Sequence, residues 1–275
     1  MNKIATIRRY KYLPFDDGSL QVLASGTIKF TKPSECNDPF DCDPEHESDN
    51  VEEFLENRPD LVEKVAKFLN LNPCQKLQEK PLMADRLRTA LNNGLFGQPA
   101  SDNIGICSLS RDPLNLLMWS HYSKDHTGFV VEFEIPIESY ELPNDEVSLF
   151  KLLIPREVKY RKEKPIVLFT DDNDMKVEKQ FLVKSIDWAY EQEERVVDDI
   201  RKSGIHEYDQ KNILYSVIAG MKMAEPKYRK LNEIVQLINT TKDLNVFLHK
   251  AEPVQGQFQL FVKDRPDLKS KKNII

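Results

Sequence analysis

Residues 104–135 read IGICSLSRDPLNLLMWSHYSKDHTGFVVEFEI, and their texture decides the fold class. Ile104 to Leu109 is a short apolar strand. Asp112 then stands as an N-cap with Pro113 at the first helical position, the favoured opening for a helix running to Lys124, and Gly128 ends that unit. Phe129, Val131, Phe133 and Ile135 next alternate with Val130, Glu132 and Glu134, a period of two that predicts a strand with one buried face. Outward from this block, further strands are expected over Ile4 to Tyr12, Thr27 to Thr31, Leu152 to Ile154, Val158 to Tyr160, Ile166 to Phe169, Glu193 to Val197, Ile213 to Ala219, Val246 to His249 and Phe258 to Val262. Helices are expected around Ser19 to Ala24, Asp174 to Ser185 and Pro226 to Asn239. Strands outnumber helices and arrive in groups, so the spacing predicts an α+β domain with a largely antiparallel sheet.

Between about 49 and 95 the texture is helical. Ser48 can cap a helix, Pro59 breaks or restarts it, and a further helix starting near Pro73 runs through Leu77, Leu87 and Leu91 to Gly94. The whole chain, 1–275, is therefore expected to be a single domain carrying a helical insertion.

Composition narrows the function classes. The 275 residues carry 39 basic and 45 acidic side chains, a net charge of −6, which argues against broad adhesion to nucleic acid. With 40% hydrophobic and 9% aromatic residues the chain can build a core, so a disordered chain is excluded. No stretch approaches the ~18 uninterrupted apolar residues of a membrane helix, and Met1 to Tyr10 holds no apolar run fit for a signal sequence. A soluble, cytoplasmic protein without a membrane partner is expected. The four cysteines, Cys36, Cys42, Cys74 and Cys107, lack CxxC spacing and read as reduced thiols. Cys36 and Cys42 with His46 lack a tightly spaced fourth ligand, so no metal is expected. The 9 glycines form neither GxGxxG nor GxxxxGK[ST], and HExxH, GxSxG and EF-hand loops are absent.

Three constellations carry chemistry. In the first, Ser108 and Ser110 share one strand face just before a helix bearing Trp119, His121 and Tyr122; hydroxyls there can position a ribose or an amide, while Trp119 and Tyr122, taken alone, read as core aromatics. In the second, Glu191 and Glu193 face the same way if the backbone is extended, which puts two carboxylates at a loop-to-strand junction; the alternative is a solvated edge with a Glu193–Arg195 contact. In the third, alternation puts Arg9 and Lys11 on one face of the first strand and Tyr10 and Tyr12 on the other, as an anion contact or a charge-protected edge. The loop holding Asn37, Asp38, Asp41 and Asp43 is a rigid turn or a cation loop.

Lys11-Tyr12, the NDPFD loop of Asn37 to Asp41, the SLS…MWSHY…HTG block of Ser108 to Gly128 and the WxYExExR segment of Trp188 to Arg195 together resemble a bacterial family of unknown function. That family's setting is similar to that of phage-defence and abortive-infection proteins, which implies an effector, possible toxin–antitoxin pairing and a defence-system partner. A more distant resemblance, to mono-ADP-ribosyltransferases, rests on the order of elements: a basic first strand, an SxS strand with a short aromatic helix, a paired strand, then ExE. It implies an ADP-ribosyltransferase-like split sheet with flanking helices. It also implies NAD as substrate, bound without a glycine-rich loop, and a protein or nucleic-acid acceptor. Glu193 would stabilise the oxocarbenium-like ribose and Glu191 would orient or deprotonate the acceptor. Tyr122 and Trp119 would stack the nicotinamide, Ser108 and Ser110 support the site, Arg9 or Lys11 contact the pyrophosphate, and Tyr12 and His121 complete the cofactor-binding set. The alternatives are an NAD glycohydrolase with the same Glu193, and a non-catalytic sensor or partner-binding module in which these residues pack.

Overall fold

The computed structural model describes residues 5–47, 51–92, 103–137, 150–168 and 170–268. In chain order the elements begin with β1 (Thr6–Leu13), α1 (Asp17–Ala24), β2 (Thr27–Phe30), β3 (Glu45–His46), α2 (Val51–Asn57), α3 (Pro59–Phe68) and α4 (Pro73–Asn92). There follow β4 (Gly105–Ser110), α5 (Leu116–Tyr122), β5 (Phe129–Pro136), β6 (Arg156–Glu157), β7 (Lys159–Arg161), β8 (Ile166–Val167), α6 (Asn173–Phe181), β9 (Val183–Ser185) and β10 (Glu193–Asp198). The chain closes with β11 (Gly204–Glu207), α7 (Gln210–Ile213), β12 (Leu214–Ala219), α8 (Glu225–Lys242), β13 (Phe247–Pro253) and β14 (Leu260–Val262). The architecture is α+β, as the grouping of strands predicts.

The chain divides into two compact units. The first holds residues 1–31, 104–158 and 187–275, and the second holds 32–103 and 159–186, including the helices expected as an insertion. The expected Ser48 cap and the helix end at Gly94 lie outside the described residues.

The first unit is organised by an eight-stranded sheet in the order β14-β13-β12-β5-β1-β4-β10-β6. Every pairing is antiparallel except β12 with β13. That parallel pair is joined by α8, because a parallel neighbour needs a crossover long enough to return the chain to the same end. The α8 stripe Leu231, Val235 and Ile238 is buried against the sheet's apolar side. β1 pairs with β5 over its whole length, from Thr6↔Pro136 to Leu13↔Phe129. It meets β4 only at Tyr10↔Ser110. Behind that point Thr31 pairs with Ile106, each backbone N–H donating to the other's carbonyl at 2.8 Å. The ladder between β1 and β4 is therefore a single pair, beside the Ser110 hydroxyl.

Several sequence expectations are corrected by tertiary pairing. β5 is buried on both faces, since Val130 and Glu132 are as fully covered as Val131 and Phe133; the alternation of residue types marks two different environments, not core and solvent. Leu152 to Ile154 is not a strand, and Leu153 takes a left-handed φ of 53°. The helix expected to reach Ser185 stops at Phe181, because Val183–Ser185 pairs in parallel with Lys159–Arg161. The helix expected to start at Asp112 begins at Leu116: Asp112 Oδ1 accepts from Leu114 N in a local turn, while Asn115 Oδ1 accepts from Leu117 N and Met118 N as the true cap.

In the second unit α2, α3 and α4 share a small core of Val51, Leu55 and Ala84. Pro59 restarts the helix as expected, opening α3. Two short parallel pairs, β3 with β8 and β7 with β9, complete that unit's described strands.

Candidate functional site

Three strands far apart in sequence lie side by side in the order β1, β4, β10. Cross-strand register puts Tyr10 opposite Ser110, Ser110 opposite Glu193, and Ser108 opposite Arg195. In an antiparallel pair directly opposed residues project to the same side, so Tyr10, Ser108, Ser110, Glu193 and Arg195 share one sheet face. On β5 the same face carries Glu132, opposite Tyr10, and Glu134, opposite Arg8.

The loop to β10 is built differently from the extended run that alternation predicts. Ile186–Glu191 is a 3₁₀ helix, and Gln192 has a left-handed φ of 45°. Glu191 and Glu193 therefore do not face one way by simple alternation. Both are nonetheless buried, at 2% and 4% exposure. The Tyr122 hydroxyl donates to Glu191 Oε1. Ser110 Oγ donates to the Glu191 carbonyl at 2.7 Å and accepts from Asp112 N at 3.1 Å. Asn115 Nδ2 donates to the Tyr190 carbonyl at 2.9 Å. The SLS strand, the aromatic helix and the ExE junction are thus bonded into one assembly.

Glu193 is held by Arg195, two residues along on the same face: Nε donates to Oε1 at 2.7 Å and Nη2 to Oε2 at 2.9 Å. The contact foreseen as a solvated alternative exists, but it is buried, with Arg195 at 1% exposure.

The first-strand cations do not join this face. Arg9 pairs with Glu194, Nε to Oε2 at 2.5 Å and Nη2 to Oε1 at 2.7 Å, and Lys11 Nζ donates to the Ser108 carbonyl at 2.8 Å. Alternation sends both to the opposite side from Ser110 and Glu193. The first-strand cation that shares the site's face is Arg8, whose guanidinium lies 3.3 Å from the centre of the Tyr215 ring. Tyr12 is a buried structural donor, its hydroxyl bonding the Asp112 carbonyl at 2.6 Å, and burial raises its pKa first, the nearby Asp112 charge adding to it.

Trp119 is corrected from a stacking surface to core. It is fully buried, packs edge-on to Tyr12 at 5.4 Å, lies parallel to His126 at 6.2 Å, and donates from Nε1 to the Pro113 carbonyl at 2.9 Å. The accessible aromatics are others. Tyr190 lies 6.2 Å from exposed His121 and 6.0 Å from Trp188, and His121 lies 6.4 Å from Tyr122. Tyr190 also lines a cavity of about 230 Å³ with Leu114, Asn115, Leu117, Phe258 and Gln259.

The largest omission from the sequence reading is the network around Glu132. Its fully buried carboxylate accepts from Arg8 Nη1 at 3.1 Å, Tyr10 Oη at 3.3 Å, Ser216 Oγ, and Arg265 Nη1 and Nη2 at 2.8 and 3.1 Å. Burial pushes the Glu132 carboxyl up, but the bonds from Arg265 and Ser216 and the charges of Arg265 and Arg8 outweigh it, and its pKa falls below the usual glutamate range. Burial beside that carboxylate pushes the Tyr10 phenol up. The complementary Arg8-x-Tyr10 and Glu132-x-Glu134 patterns were the available signal, but they speak only once β1 and β5 are known to pair.

Gly128 closes the block. A Cβ there would lie 2.2 Å from the Leu13 carbonyl oxygen, so only glycine lets the turn after α5 come against β1. Residues 118–196 match a family model described as "Protein of unknown function (DUF2971)". The match spans α5, with Tyr122, through to the ExE junction and Arg195. No curated protein and no solved structure gives a significant match. The chain is thus similar, over the stretch that carries Tyr122, Glu191 and Glu193, to a protein family of unknown function.

Proposed function

We propose that the chain is an NAD-dependent ADP-ribosyltransferase-like effector, transferring ADP-ribose to a protein or nucleic-acid acceptor in a bacterial defence setting. The observation that carries the reading is the junction of Tyr122, Ser110 and Glu191 beside buried Glu193, in which three distant segments meet. The single-pair ladder between β1 and β4 adds support, because it lies beside these groups.

In this reading the nicotinamide–ribose C–N bond breaks with its electron pair leaving on nicotinamide. The acceptor's nucleophilic atom then bonds C1′ and gives up one proton. Charge developing on the ribose is stabilised by the Glu193 carboxylate, prealigned by Arg195 so that little reorganisation is needed. Glu191, oriented by Tyr122, receives the acceptor's proton. Tyr190 takes the place of Trp119 beside Tyr122 in the stacking role, and Arg8 replaces Arg9 and Lys11 as the cation for the pyrophosphate. The defence setting rests on the family resemblance.

A second reading, a non-catalytic partner-binding module, is favoured by one observation: Arg195 occupies both oxygens of Glu193 within the buried face. The two readings separate in an incubation of the full chain with adenylate-labelled NAD and cell extract. Transfer of label by wild type, lost in Glu191→Gln and Tyr122→Phe, supports the transferase. No label transfer and no NAD binding by folded wild type supports the module. Glu193→Gln is the poorer variant, because it breaks the buried bidentate pair with Arg195 and so disturbs folding as well as the site.

A further inference from the structure

The loop between β2 and β3 carries a group that the proposed transfer chemistry does not use. Cys36 Sγ, Cys42 Sγ and a carboxylate oxygen of Asp41 all lie within 4.8 Å of one another. Asp41 and Cys42 are buried and Cys36 is half-buried, so the group has one side toward solvent. Cys42 Sγ donates to Asp41 Oδ1 at 3.5 Å, and the Cys42 carbonyl is anchored by Gln180 Nε2 at 2.7 Å.

We propose that Cys36, Asp41 and Cys42 bind a thiophilic divalent cation of the zinc class, with the fourth position open to solvent. Zinc holds sulfur at about 2.3 Å and carboxylate oxygen at about 2.1 Å, so ligand atoms around one ion are separated by roughly 3.5 Å. Starting from 4.8 Å or less, closure needs only side-chain rotation or a small loop movement. Two sulfurs exclude magnesium and calcium as preferred ions and favour zinc.

Charge points the same way. Two thiolates and a carboxylate carry three negative charges, and buried Lys184, its Nζ 3.7 Å from Asp41 Oδ2, supplies one positive charge. A divalent ion offsets two of the three negative charges of the ligand set. Asp43, Glu45 and His46, the potential ligands that follow in sequence, are not within the 4.8 Å group, which among the described residues holds three ligands.

The test uses the full chain, kept reduced, with metal ion alone as probe. One equivalent of zinc should survive dialysis, and one equivalent of cobalt should give sulfur-to-cobalt charge-transfer absorption in the near ultraviolet. Cys36→Ser, at a half-exposed position, should abolish that absorption, Asp41→Asn should weaken binding, and Cys74→Ser, at an exposed cysteine outside the group, should change nothing. Folding of each variant is checked by its thermal transition. No retained zinc and no charge-transfer band in wild type overturns the proposal, as does a band that survives in Cys36→Ser. Neither result bears on NAD chemistry, which the labelled-NAD assay tests separately.

Discussion

On one face of the eight-stranded sheet, Cys107, Val131, Phe133, Val196 and Val217 share an apolar core with Leu231 and Val235 of α8. On the other, Glu132, Tyr10, Ser216, Arg8 and Arg265 form a buried hydrogen-bonded network, with the Glu193–Arg195 pair two strands beyond β1. The first face is held by area and volume, which are non-directional, so a lost side chain costs what it buried plus its cavity. The second depends on each charge keeping its partner: complete, it fixes the directions of the side chains, and incomplete, it leaves a charge stranded at low dielectric. A polar site needs such fixed directions, and the Tyr122–Glu191–Ser110 junction lies on that side of the sheet.

The sharpest way to break this contrast is to remove one member from each face. Glu132→Ala should lose about 3–5 kcal/mol in denaturant unfolding, because Arg8 and Arg265 remain without their shared carboxylate. Phe133→Ala should lose a similar amount, about 3–5 kcal/mol, from cavity formation alone. Acid titration then separates two losses of equal size. The Glu132 pKa is lower in the folded chain than in the unfolded one. Its contribution is therefore fully present above the ordinary glutamate value of about 4.3 and is lost as pH falls through the lower folded value. Glu132→Ala should show a flatter stability curve in that window, and Phe133→Ala should run parallel to wild type. The smallest effect is at the seam between helix and junction: Asn115→Ala removes the α5 cap and the bond to the Tyr190 carbonyl and should cost about 1 kcal/mol, read from the thermal transition.

The apolar face was legible in the sequence, since Phe129, Val131 and Phe133 at period two and the Leu231–Val235–Ile238 stripe carry local signals. The polar face was not. Glu132, read alone, is a solvent-side residue of an amphipathic strand; only its pairing with β1 and β12 reveals it as buried. The site was half legible. Ser110 and Tyr122 bond Glu191, not Glu193, the acid to which the resemblance gives the central role, while the faces of Arg9, Lys11, Tyr10 and Tyr12 follow alternation. Trp119 went astray because a tryptophan three residues from a tyrosine shows a shared helix face without showing which neighbour covers it. The ExE geometry went astray because Gln192 is left-handed, a conformation that no local sequence signal marks at a glutamine.

The central claim is that the carboxylates of this junction drive release of nicotinamide from NAD, Glu193 by stabilising the ribose and Glu191, held by Tyr122, by taking the proton of the acceptor that displaces it. Release of nicotinamide from NAD, followed in folded wild type, Glu191→Gln and Tyr122→Phe, tests it most directly. The account predicts turnover by wild type and a fall of about 100-fold or more in each variant. Equal release by all three proteins, or release by wild type no faster than from NAD in buffer, would contradict it.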